Sequence, residues 1–91
     1  MGTAPRLIEA LREAAENADR ALVVDLTPVT FLASAGMSAL VFACGLTRSR
    51  GVGFAVAAAG PVTARPLTLM ELTGTLAVVS SLDEALAAVS R

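Results

Sequence analysis

Apolar and polar positions alternate along this chain in two different periods, and the switches between them divide it into elements. Leu7, Ile8, Leu11 and Ala15 recur at helical spacing, with Glu9, Arg12, Glu13 and Glu16 largely on the opposite face. The pattern predicts a helix over 3–17. Thr3 is placed to cap it and Pro5 falls in its first turn, where a missing N–H is harmless. Glu9 with Arg12, and Glu16 with Arg20, stand at spacings that allow weak pairing. Ala21 to Leu26 is a short, nearly continuous apolar run, which predicts a strand covered on both faces. Asp25 near its end is the polar exception. It serves either as a partner for nearby backbone N–H groups or as a group on the functional rim near Ser34.

Pro28 breaks that run, and V-T-F-L-A-S-A-G-M-S-A-L-V-F-A-C-G-L follows. It reads as a strand end, a tight turn and an apolar helix from Ser34 to about Arg48. Met37, Leu40, Val41, Cys44 and Thr47 are its expected buried face, and the small Gly36 and Ala39 let it approach the sheet. Arg48 and Arg50 fall at its end, where positive charge suits the helix dipole. Gly51 and Gly53 serve the turn. Phe54 to Ala59 is the second predicted strand, closed by Gly60-Pro61. A third helix holds Val62, Arg65 and Leu67 and should end or kink at Pro66. Gly74 has the character of a helix C-cap. Leu76 to Val79 is a third strand. Ser80 or Ser81 then caps a last helix, with Asp83 and Glu84 in its first turn and Leu82, Leu86 and Val89 as its buried side. Strands alternating with helices imply an α/β domain with parallel strands and right-handed crossovers. The 91 residues suffice for a single domain spanning 1–91.

Composition narrows the chemistry. Hydrophobic residues make up 55% and charged residues 16%, which excludes a disordered chain. The net charge is −1, there is no Lys, and the Arg residues are scattered, so no nucleic-acid partner is expected. The absence of His removes His-based triads and most zinc sites; no cofactor, no metal and no enzymatic activity are expected. Cys44, the single cysteine, reads as a small buried hydrophobe and agrees with a reducing compartment. The longest apolar run falls short of the roughly 20 residues of a membrane span, and the N-terminus lacks a signal core. A cytoplasmic protein without a membrane partner is the expectation. A nucleophile elbow would need G-x-S-x-G, but Leu32 stands two residues before Ser34.

Ser34 has two readings. It is a helix cap, its hydroxyl serving free N–H groups of the first turn. It is also a hydroxyl offered to a partner at the sheet rim, where sites in open α/β sheets form.

The stretch V-V-D-L-T-P-V-T-F-L-A-S-A-G-M-S-A-L resembles the central signature of STAS domains, the anti-sigma factor antagonist family, D-L-S-x-V-x-F-x-D-S-S-G-x-x-x-L. Asp25, Leu26, Val29, Phe31, Ser34, Gly36 and Leu40 carry the match. T-A-P-R-L, V-T-A-R-P-L with E-L-T-G, and S-L-D-E-A-L resemble further stretches of that family in order. The resemblance implies a binding module whose serine, here Ser34, is phosphorylated by a partner serine kinase of the anti-sigma type. Asp25, Ala33, Ser34, Ala35, Gly36 and Met37 are the implied partner-binding residues. The unmodified form binds the anti-sigma factor and the modified form releases it. An alternative is a STAS-like interaction or scaffold domain without phosphorylation, within a larger regulatory or lipid-transport assembly; Ala33 and Ala35, where the signature has Asp and Ser, favour it. The family's first two strands have no counterpart before the first helix, so the fold expected is a small STAS-like domain lacking that pair. An open sheet edge follows, and with it a possible homodimer.

Overall fold

The computed structural model describes residues 3–29, 32 and 34–90, with the side chains of 3–7 outside the description. Its elements are α1 (Thr3–Asn17), β1 (Ala21–Asp25), α2 (Ser34–Ser49), β2 (Gly53–Ala57), α3 (Ala64–Leu69), β3 (Val78–Val79) and α4 (Leu82–Val89). The strands form one parallel sheet in the order β1-β2-β3. The strand–helix alternation predicted this parallel α/β architecture; all three strands end earlier or begin later than their apolar runs.

Because strand side chains alternate between faces, the two sides of the sheet carry different residues. One side, with Leu22, Val24, Phe54 and Val56, packs with Leu11 and Ala15 of α1 and with Ala39, Leu40, Ala43 and Cys44 of α2. Leu67 and Leu76 complete this larger core, both fully buried. The other side is built from Val23, Ala55, Ala57 and Val79, and α4 covers it through Ala85 and Val89.

This arrangement corrects several expectations. The buried stripe of α2 is Gly36, Ala39, Leu40, Ala43, Cys44 and Thr47, whereas Val41 is exposed. Val41 lies about 100° around the helix from Leu40, on its flank. On α1, Leu11 and Ala15 are buried but Ile8 is exposed. On α4, Leu82 and Leu86 are exposed and Ala85 is the buried contact. Ala85 packs on Ala55 and Ala57 of β2, and the two leucines of the helix lie to the side. The ion pair of α1 joins Arg12 to Glu16 at 4.0 Å, not Glu9 to Arg12 or Glu16 to Arg20. Both groups are exposed, so it adds little.

Pro66 neither ends nor kinks α3. It is the third helical residue, in the first turn, where a missing N–H leaves no helical bond broken; Val62 precedes the helix. Nor does Gly74 close it. Glu71 takes the left-handed conformation (φ 58°), its N–H donates to Thr68 O and the Leu72 N–H donates to Leu67 O, both at 2.9 Å. These are the two bonds of a Schellman ending, with Glu at the position glycine usually fills.

Arg48 and Arg50 reach beyond their own helix end. Arg48 donates to Thr75 O at 2.6 Å, and Arg50 donates to Ala15 O in the last turn of α1. The last turn of α1 has no basic residue of its own, so Arg50 supplies positive charge there from across the fold.

Candidate functional site

Parallel connectivity puts the carboxyl ends of the strands and the N-termini of α2, α3 and α4 at one rim. Ser34 stands there as the first residue of α2, and it is exposed. Ser34 is therefore the first residue within the helix and not the flanking residue that caps it. The expected contributions of Ala33 and Phe31 lie outside the described residues. Ala35 is exposed, Met37 half-buried, and Gly36 buried in the packed stripe of the helix. Gly36 is thus on the buried side of α2.

Asp25 is exposed at the carboxyl end of β1. Its carboxylate accepts from the Thr27 hydroxyl at 2.6 Å and the Thr27 N–H at 3.0 Å. These two bonds, the hydroxyl first, hold its pKa below the ordinary carboxylate value. The backbone-partner reading of Asp25 is the one the geometry supports. Arg65 is exposed on α3.

Beside Ser34 lies a groove of about 300 Å³ lined by Ser34, Met37, Ser38, Val41, Met70 and Leu72. A larger hollow of about 450 Å³, lined by Ile8, Arg12, Ala35, Ser38, Ala39 and Phe42, runs along the α1–α2 seam. Ser38 belongs to both, so the exposed side of α2 is one continuous, largely apolar surface with few charges. Phe42 (54% exposed) and Met70 (60% exposed) are its most prominent apolar groups. Sequence reasoning missed Ser38, Phe42, Met70 and Leu72. The signal available was the second apolar flank of α2, Val41-Phe42, which a single buried stripe leaves without a role.

Among the described residues no group of three His, Cys, Asp or Glu side chains could hold a metal ion. Cys44 is buried, its thiol near Thr75 O at 3.5 Å, and burial pushes its pKa up, against the opposing effect of Arg48. It is not primed as a nucleophile. Among the described residues no helix is long and apolar enough to cross a membrane. What remains at the rim is a hydroxyl on a rigid helix end beside an apolar surface, an arrangement suited to contact with another protein.

Comparison with known proteins agrees with this geometry. The anti-sigma-F factor antagonist RsfB of Mycobacterium tuberculosis, in two strains, is 41% identical over 87 residues, covering 96% of this chain and 70% of that protein. The crystal structure of an anti-sigma factor antagonist from Mycobacterium paratuberculosis matches with a TM-score of 0.83 and 38% identity, over 98% of this chain and 75% of that one. The STAS domain family model matches residues 1–85. With that match over nearly its whole length, the chain belongs to the STAS domain family.

Proposed function

We propose that this protein is an anti-sigma factor antagonist that binds an anti-sigma factor through the α2 rim and is released from it when Ser34 is phosphorylated by that partner or another serine kinase. The observation that carries the reading is the exposure of Ser34 at the first position of α2, beside the groove of Met37, Val41, Met70 and Leu72. The names of its mycobacterial relatives favour the same class of partner.

The physical logic is local. A phosphoserine brings about −1.5 to −2 charges to one point. At a helix N-terminus that charge meets exposed N–H groups and the positive end of the dipole, so the domain tolerates it. A partner packed over the adjacent apolar groove would have to bury the same charge, which is costly without a matching cation. Modification thus weakens the complex and leaves the fold intact.

Incubating the protein with candidate anti-sigma kinases and ATP, then locating phosphate by mass spectrometry, tests the switch. Phosphate at Ser34, with loss of partner binding, is expected. Binding without any phosphate at Ser34 would leave the second reading, a STAS interaction domain with no such switch, which Ala33 and Ala35 in place of the signature's Asp and Ser favour.

A further inference from the structure

The segment 70–77, which joins α3 to β3, lies along α2. Its first residues reach the N-terminal half of that helix, where Met70 and Leu72 line the groove with Ser34, Met37, Ser38 and Val41. Its later residues reach the other end. Arg48 donates to Thr75 O at 2.6 Å, and the Cys44 thiol faces the same oxygen at 3.5 Å. Ser34 and Arg48 are separated by about 21 Å of helix, at about 1.5 Å per residue. One loop thus touches α2 beside the candidate hydroxyl and again near the far end of the helix.

Local preference does not give the segment this shape. Glu71 and Ala77 bound it, and both are left-handed, with φ 58° and 53°, a region that non-glycine residues rarely occupy. Such backbone persists only where its surroundings over-determine it. Leu76, fully buried, anchors the segment in the core, and Leu72 packs against the same core. Apolar contact is non-directional, so it does not fix where along α2 these side chains stand. Among the described residues, the side-chain hydrogen bonds between α2 and the segment both fall on Thr75 O. A thiol is a weak donor, whereas the Arg48 bond is charge-assisted. Arg48 is therefore the polar tie.

We propose that Arg48 is a positioning residue for the groove beside Ser34. By holding Thr75 it fixes how the segment lies along α2, and so where Met70 and Leu72 stand next to the hydroxyl. The consequence for partner binding rests on the function proposed above; the positioning itself does not. Arg50 supplies the contrast. Its guanidinium also ties off a distant carbonyl, Ala15 O, but α1 contributes no side chain to this groove.

Methyl NMR of the free protein tests the positioning. Arg48→Met keeps an aliphatic stem and removes the donors. It should shift the methyl resonances of Met70 and Leu72 and leave those of Leu26 and Leu40, in the core, in place. Arg50→Met should leave all four where they are. Arg48→Lys, which keeps a donor and the positive charge at the helix end, should bring the Met70 and Leu72 resonances back toward their wild-type positions. Unmoved Met70 and Leu72 resonances in Arg48→Met overturn the proposal, and so do shifts spread equally through the core. Calorimetry with the anti-sigma factor reads the effect on binding. Arg48→Met should weaken it about two- to tenfold, the range of one hydrogen bond, and by a smaller factor in a Met70→Ala background. An undiminished factor in that background overturns action through the groove wall. Absence of binding by the wild type would instead remove the function proposed above, while the resonances still decide the role of Arg48.

Discussion

The N-termini of α2 and α4 lie at the same rim and are finished in opposite ways. At α4 the chain satisfies itself. Ser81 accepts from the Glu84 N–H at 3.1 Å, and the Glu84 carboxylate accepts from the Ser80 hydroxyl at 2.7 Å and the Ser80 N–H at 3.1 Å. Asp83 and Glu84 place negative charge in its first turn. The first turn of α2 holds no acidic residue, and its leading residue, Ser34, is exposed beside an apolar groove. A helix that only needed to end well would look like α4. Acid in the first turn of α2 would repel the phosphate that the proposed switch places there, and the described first turn holds none. The proposal that the α2 end receives a partner rests on this difference from the self-satisfied end of α4.

The two helices also differ in how firmly they are anchored, and the largest expected effect lies there. Leu40 of α2 is fully buried, and Leu40→Ala should cost about 2–5 kcal/mol in urea or thermal unfolding. Leu86→Ala on α4, where the side chain is 47% exposed, should cost under about 1 kcal/mol. Equal losses would mean that the α2 side is not the main core. Next in size is the charge at the rim. Ser34→Asp should weaken binding to the anti-sigma factor at least about tenfold, or 1.4 kcal/mol, by calorimetry, with the unfolding midpoint nearly unchanged. The caps follow. Ser81→Ala should cost about 1 kcal/mol of stability, Ser34→Ala under about 0.5 kcal/mol with binding retained. If Ser34→Ala proves as costly as Ser81→Ala, Ser34 is a structural cap after all.

Local patterns made much of this legible. Helical spacing of Leu11 and Ala15, the strand runs, the serine–acid start of α4 and the position of Ser34 each depend on near neighbours in the chain. What depended on distant packing was not legible. Nothing near Arg50 shows that its guanidinium reaches Ala15 O, because the partner lies 35 residues away. That Ala85 packs on the alanines of β2 while Leu86 lies to the side is likewise a tertiary contact. Pro66 was misread because the start of α3, two residues before it, has no strong cap: Thr63 makes no side-chain capping bond. The left-handed ending fell on Glu71, and a glycine three residues later drew the expectation away from it. The places of Ser34 at the start of α2 and of Asp25 at the end of β1 were readable from the strand–turn–helix pattern. The groove was not, since Met70 and Leu72 join α2 only through the tertiary fold.

The smallest effect tests the self-contained character of α4 through acid. Bonds from the Ser80 hydroxyl and then the Ser80 N–H hold the Glu84 pKa below its ordinary value, against an opposing effect of burial. A carboxylate whose pKa is lowered by folding contributes stability that is fully present above its unfolded value. That contribution is lost as pH falls through the lowered folded value. Wild type should therefore exceed Glu84→Gln in urea midpoint at neutral pH, and the gap should narrow on acidification through the carboxylate range, because protonated Glu and Gln bond alike. Asp25, held down by Thr27, titrates in both proteins and cancels from the difference. A gap that stays constant with pH would show that the Glu84 charge is not what closes the start of α4, and the contrast with α2 would then rest on Ser81 alone.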